Sequence, residues 1–391
     1  MPEPLDGIVV LDFSWFEQGP LACVHLSDLG ARVIKVEPPL GDPVRGSVRG
    51  TISTAYIAHN RGKESITVNL RTDTGRQIVG RLVEKADVLV HNFTEDVARS
   101  LHITYDELLK ITPQLVYVRG SSFGPKGPRH DRRAMDVAGQ AYSGIVSVTG
   151  EGSGSPLPAG AAIADASGAF TVVTATLVGL VYRGRHGTGC EMVVSLYGSQ
   201  MALQSWELTH CGIFGERPQR AGTGHPLMGA WGIFPTSDGH IALAGVGDAK
   251  WESFCDAIGV PELGRDTRLL KNAGRVQQKA TLVPQIAERL KTRTSAEWLA
   301  KLESVDIIVA PVQHYDEILR DEQAWASGYL QHIEEPDLGE ITVVAAPYTI
   351  NGAPARVKGA SPALGQNTEL ILAELGYSWD DIPGLKEAGC T

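Results

Sequence analysis

Short β-branched runs alternate with helical segments through the first third of the chain, and this rhythm leaves few folds open. IVVLDF (Ile8 to Phe13) reads as a buried strand, PLACVHLSDLG (Pro20 to Gly30) as a helix closed by glycine, and ARVIKVE (Ala31 to Glu37) as the next strand. SITVNL (Ser65 to Leu70), TGRQIVGRLVEKA (Thr74 to Ala86), DVLVHNF (Asp87 to Phe93) and QLVYVRG (Gln114 to Gly120) continue the pattern. Strands separated by helices imply βαβ units and a mostly parallel sheet. EMVVSLYGSQMALQSWELTH (Glu191 to His210) adds a strand and one long helix.

The pattern then changes. RPQRAGTGHPL (Arg217 to Leu227) is a Gly/Pro/Arg-rich linker, and WGIFPTSDGHIALAG (Trp231 to Gly245) has the alternation and central Asp-Gly of a β-hairpin. Thr294 and Glu297 form a capping-box signature, and IIVAPV (Ile307 to Val312) looks like a last strand. Past about Gln331, EITVVAAP (Glu340 to Pro347) reads as a strand and QNTELILAELG (Gln366 to Gly376) as a helix. The expected architecture is α/β: a large Rossmann-like parallel-sheet domain over 1–215, a smaller α+β domain over 225–325, and a C-terminal return over 330–391.

Composition narrows the partners. With 35 basic and 45 acidic residues the net charge is −10, which argues against a general nucleic-acid surface. The five cysteines (Cys23, Cys190, Cys211, Cys255, Cys390) have no paired spacing, so reduced thiols are expected and neither a disulfide frame nor a zinc site. His225 and His240 lack metal-ligand spacing with other candidates, so no metal is assigned. MPEPLDG has neither a basic n-region nor an apolar h-region. The longest apolar stretch, Gly168 to Tyr182, reads as too short and too threonine-rich to span a bilayer. The expectation is a cytoplasmic protein without a membrane or nucleic-acid partner.

Chemistry concentrates at a few turns. Asp165 stands where a Gly/Ser/Pro-rich loop enters a long apolar helix, beside free backbone N–H groups and a favourable dipole. A helix cap is the bland reading of that aspartate, and of Asp136 in AMDVAGQAYSG as well. The first turn, FSWFEQGP, joins strand to helix where open α/β sheets bind ligands, and it places Glu17 and Gln18 there. Glu37 lies where dinucleotide folds keep an acidic residue for ribose, yet only Gly19 of the Gly-x-Gly-x-x-Gly fingerprint is present, which disfavours NAD. HNRGKESITV sets Arg61 and Lys63 beside Gly62, suited to phosphate or diphosphate, or else a solvated basic loop. Asn92 and Phe93 end a strand at the same edge, with Arg99 nearby. GVGD (Gly245 to Asp248) is either a flexible lid or an ordinary glycine turn. No Gly-x-Ser-x-Gly elbow exists.

In order and spacing these segments resemble the class III CoA-transferases, the CaiB/BaiF group that includes formyl-CoA transferase and, as a side branch, α-methylacyl-CoA racemase. The resemblance runs nearly end to end. It is carried by LDGIVVLDFSWFEQGPLACVHLSDLGARVIKVEPPLGDPVRG, HNRGKESITVNL, DVLVHNF, SSFGPKGP, MDVAGQAYSGIVSVTG, AIADASGAF and ALGQNTELILAELG. It implies that Asp165 is the nucleophile and that CoA lies against Glu17, Gln18, Asn60, Arg61, Lys63, Asn92 and Phe93. It also implies a lid at Ala244 to Asp248, here thin in glycine, and an interlocked homodimer.

Two departures stand out. Met135 occupies the position before Asp136 where the racemase branch has a histidine, which disfavours two-sided proton transfer. Asn92-Phe93-Thr94-Glu95-Asp96 replaces the family's Asn-Phe-Arg-Pro-Gly, leaving the part played by Arg99 open.

The expected reaction moves CoA from an acyl-CoA thioester to a small carboxylic acid through an aspartyl intermediate on Asp165. Gln18 and the amides of Gly245 and Gly247 would hold oxyanions, and no permanently bound cofactor is needed. The helix N-terminus is expected to keep Asp165 ionised. An acyl-CoA racemase or isomerase and a non-catalytic CoA-binding protein remain the alternatives. The identity of the acids is not legible.

Overall fold

The computed structural model describes residues 3–46 and 53–391, so Met1 and Pro2 of the N-terminal stretch lie outside it. Six strands form one sheet: β1 (Val9–Asp12), β2 (Arg32–Glu37), β3 (Glu64–Thr67), β4 (Val88–His91), β5 (Val116–Ser121) and β6 (Cys190–Ser195). Their order is β3-β2-β1-β4-β5-β6 and every pairing is parallel. Strand order reverses between β1 and β4, so the turns leaving these two strands open a crevice at the sheet edge.

The strands read as β-branched runs because both faces are covered. One face packs Leu11, Ile34, Ile66 and Leu89 against Ile78 and Leu82 of the helix Asp73–Glu84, and against Ile371 and Leu372 near the C-terminus. The other packs Val10, Val33, Val88 and Val118 against Ala22 and Leu26 of α1 (Gln18–Asp28) and Val172 and Val173 of a 24-residue helix, Ile163–His186. That helix is longer than the apolar stretch in the sequence indicates, and by length and composition alone it meets the requirements of a membrane span. The argument that it is too short is therefore corrected: burial of Ala169, Val172, Val173 and Thr176 within the fold is what makes it a core helix.

The chain divides into two compact units. The first comprises 1–143, 160–204 and 319–391, and the second 144–159 and 205–318. In the first unit α2 (Thr54–Asn60) precedes β3, α3 (Asp136–Ser143) follows β5, and α4 is the Ile163–His186 helix. The single long helix expected after β6 is instead two, Leu196–Leu203 and Ser205–Phe214, broken at Gln204. A C-terminal hairpin of Leu330–Glu335 with Gly339–Val344 belongs to the same unit. Its first strand was not expected, because the buried positions Leu330, Ile333 and Glu335 do not alternate. In the second unit, Met228–Pro235 and His240–Leu243 form the expected hairpin beside Val309–Pro311, over a core that includes Trp251, Phe254 and Trp298.

Candidate active site

The turn after β1 is held from two sides. The backbone N–H of Trp15 donates to Asn92 Oδ1 at 2.9 Å, and Asn92 Nδ2 donates back to the Trp15 carbonyl at 2.7 Å. The Trp15 ring meets Phe93 edge-on at 5.3 Å. Phe16 then takes φ +67°, a left-handed conformation unfavourable for a bulky residue, and Glu17 follows at the start of α1. Asn92 and Phe93 thus shape this turn.

Gln18 opens α1 and is only 4% exposed. Its amide sits between two glycines. A Cβ on Gly120 would lie 2.6 Å from Gln18 Oε1, and one on Gly168 would lie 2.8 Å from Nε2. Nε2 has no hydrogen-bond partner among the described residues, an unsatisfied buried donor of the kind that calls for a ligand.

Asp165 is the third residue of α4, so it does not cap that helix. Asp136 does: its Oδ1 accepts from the N–H of Ala164 at 2.7 Å and of Asp165 at 3.2 Å, while its Oδ2 accepts from Gln140 Nε2 at 2.6 Å. Each of the two aspartates was open to a capping reading. The structure gives the cap to Asp136, reaching over from α3, and leaves the Asp165 carboxylate without a hydrogen bond among the described residues.

Three carboxylates therefore share one neighbourhood without a cation. Burial, and then the charge of Asp136, pushes the Asp165 carboxyl up to about 6. Asp165 is expected to be ionised by the helix N-terminus; burial and Asp136 raise it, yet at about 6 it remains mostly anionic at neutral pH. Burial, Asp165 and Asp136 raise Glu17 to about 7. His59 Nε2 lies 4.0 Å from Glu17 Oε1, and burial followed by the charge of Lys63 lowers His59 to about 4, so it is neutral.

The basic loop is engaged elsewhere. Lys63 Nζ is buried and donates to Asp12 Oδ2 at 2.7 Å, to the Pro20 and His59 carbonyls at 2.9 and 2.8 Å, and to Asn60 Oδ1 at 2.9 Å. Arg61 makes a bidentate pair with Asp28 at 2.6 and 2.7 Å. The reading of a basic loop facing solvent or a diphosphate is corrected for these two side chains: both cations neutralise buried carboxylates. Asn60 is fully buried beside them. Glu37 is likewise spent, on Arg45 and Ser65. Arg99 is exposed, 3.4 Å from Glu95.

Gly245 and Gly247 lie in the second unit. Gly245 has φ +89°, which suits glycine alone. The turn is anchored by the buried Arg275, which donates to the Val246 carbonyl at 3.0 Å and to Asp248 at 2.7 Å. No cluster able to hold a metal ion occurs among the described residues. Sequence reasoning missed the partners of Lys63 and Arg61 and the cap made by Asp136, because each joins residues far apart in the chain. It missed His59 beside Glu17 for the same reason.

The profile of CoA-transferase family III matches residues 5–368. The succinate–glutarate CoA-transferase of Agrobacterium fabrum is 33% identical over 382 residues, covering 95% of this chain and 96% of that enzyme. The acetyl-CoA:oxalate CoA-transferase of Acetobacter aceti is 35% identical over 313 residues, covering 79% and 80%. A CaiB/BaiF family protein from Brucella suis, known as a crystal structure, superposes with a TM-score of 0.86 at 31% identity, covering 96% of this chain and all of that one.

Proposed function

This chain belongs to CoA-transferase family III, and we propose that it moves CoA between two carboxylic acids through covalent intermediates on Asp165. The observation that carries the reading is the half-buried Asp165 carboxylate at the start of α4, without a hydrogen bond among the described residues, with the unpartnered Gln18 Nε2 packed against Gly168 of the next turn. A carboxylate without a cation or donor is a poor structural element and a competent nucleophile.

The steps balance without an added reagent. The Asp165 carboxylate attacks the thioester carbonyl of an acyl-CoA, and the C–S bond breaks to give a mixed anhydride and CoA thiolate. The thiolate then attacks the aspartyl carbonyl, expels the first acid as its carboxylate, and leaves an aspartyl-CoA thioester. The second acid's carboxylate attacks that carbonyl and releases thiolate, which finally attacks the new acyl carbonyl and frees Asp165. Gln18 Nε2 would donate to the developing oxyanions, and the family resemblance gives the same part to the amides of Gly245 and Gly247. Excluding water protects the anhydride from hydrolysis.

CoA in this reading lies along the turn built by Glu17, Gln18, Asn92 and Phe93. Asn60, Arg61 and Lys63 set the shape of the adjoining loop, and Arg99 stands at its exposed rim. The relatives named above act on succinate, glutarate and oxalate, so those acids are the first to offer. Exposed apolar residues along α4, among them Val178, Val181 and Tyr182, support burial of that face against a second copy; the interlocked form of the dimer and a cytoplasmic setting are parts of the same proposal.

Mass spectrometry of the Asp165 peptide after incubation with acyl-CoAs and hydroxylamine tests the mechanism. A hydroxamate confined to Asp165 is the expected result, since hydroxylamine captures an activated aspartyl ester or thioester. An unmodified peptide across a wide panel, with CoA binding measured separately, would overturn it.

A further inference from the structure

A chamber of about 700 Å³ opens within the first unit, in the range of small-molecule pockets. Leu21 and His25 of α1, Ala58 and His59 of α2, and Phe170 of α4 line it, and the strand Gly339–Val344 closes it. His59 on the chamber wall lies 4.0 Å from Glu17 of the carboxylate cluster, and Leu21 and His25 of the wall share one face of α1.

Among the described residues the wall offers no available positive charge. Arg61 is the one cation of the described lining, and its guanidinium is held by Asp28 and by the Val344 carbonyl at 2.7 Å. His25 stacks on Phe170 at 4.9 Å, and burial lowers it to about 4, so it is neutral, as is His59. An apolar chain would gain from such a wall. A carboxylate brought there would lose water and find no partner.

We propose that this chamber holds the chain of the exchanged acid, and that the acids handled here are monocarboxylic with an apolar chain rather than dicarboxylic. The inference rests on the reading of Asp165 as the transfer residue, which fixes the acid's carboxyl end at the mouth beside Glu17 and His59. The chain then runs along Leu21 and His25 over the Phe170 ring. Substrate choice in this enzyme thus departs from the dicarboxylic acids named for its relatives.

Hexanoate and adipate separate the two classes, because they have equal carbon number and differ by the second carboxylate. Calorimetric titration of each into the full-length protein should show hexanoate binding at least about tenfold more tightly. Ala58→Trp, a change at an exposed helix position, should remove that preference while acetate binding persists. Phe170→Ala should move the optimum toward octanoate. Adipate binding as well as hexanoate, or a preference untouched by both variants, would overturn the proposal. Loss of CoA binding in Ala58→Trp would give the chamber to the pantetheine arm. A change of oligomeric state in sedimentation with acid binding intact would give it to a second copy. Both results count against it. Binding is read directly, so a failed chamber leaves Asp165 labelling in place, and absent labelling leaves the hexanoate titration readable.

Discussion

Two sets of acids in the first unit differ in burial and in pairing. Asp12, Asp28, Glu37 and Asp42 are fully buried and each faces a cation: Lys63, Arg61, Arg45 and Lys35 at 2.6–2.9 Å. Asp136, Asp165 and Glu17 are half-buried and face no cation among the described residues. In the first set, burial alone would raise Asp12, but Lys63 and Lys35 hold its carboxyl below the usual range, and Arg45 does the same for Glu37. In the second set burial and mutual repulsion act together, and Asp165 and Glu17 rise. Pairing makes a buried carboxylate a part of the frame. Its absence leaves the carboxylate free to react, at the expense of stability.

The sharpest way to break this contrast is to remove one member from each set. Asp165→Asn should reduce CoA transfer roughly 10³-fold or more, measured as exchange between acyl-CoA and labelled acid. The same change should stabilise the protein at pH 8. The carboxyl titrates at about 3.8 when unfolded and about 6 when folded, so ionisation removes stability as pH rises across that window. Replacing it with an amide should restore roughly 1–3 kcal/mol, read from denaturant midpoints. A loss of stability instead would mean that Asp165 is structural.

Lys63→Met should do the reverse. It leaves the buried Asp12 without its ion-pair partner, with only the charge of Lys35 and the hydrogen bonds from Ser14, and should cost about 3–5 kcal/mol in urea unfolding. A stable Lys63→Met protein with selectively weakened CoA binding would return Lys63 to the ligand.

A smaller effect separates the two acids with raised titration. The kcat/KM for acyl-CoA should fall below about pH 6, as Asp165 takes up a proton and stops being a nucleophile. That for the acid should fall above about pH 7, as Glu17 loses a proton and repels the incoming carboxylate. The two limbs belong to the coupled cluster. Glu17→Gln should flatten the alkaline limb and keep the acidic one; an unchanged profile would remove Glu17 from the site.

The smallest effect is expected at Arg99, exposed and 3.4 Å from Glu95. Arg99→Ala should change stability by less than about 1 kcal/mol. Its KM for acyl-CoA then reports whether the rim touches CoA.

Much of this molecule was legible in its residues. The β-branched runs from Ile8 to Gly120 fix a parallel sheet because only a sheet covered on both faces buries them, and the structure has that sheet with β1 and β4 at the reversal. The Asp-Gly hairpin and the Thr294–Glu297 capping box are set by local hydrogen bonding, and both occur as read. Asp165, Gln18 and the first turn were visible as residues at strand-to-helix junctions.

What each of those residues faces was decided by the tertiary structure alone. Arg61 and Lys63 looked like an anion site until Asp28 and Asp12, 33 and 51 positions away, took both charges. Asp136 and Asp165, 29 apart, were both open to a capping reading, the family resemblance alone pointing to Asp165 as nucleophile, and the approach of α3 to α4 gives the cap to Asp136. Periodicity is a property of neighbouring residues, so it reveals the parallel sheet and the crevice at its edge, but neither the irregular strand Leu330–Glu335 nor the break at Gln204. Ionisation and pairing depend on which distant side chains share a water-free space, and packing alone settles that.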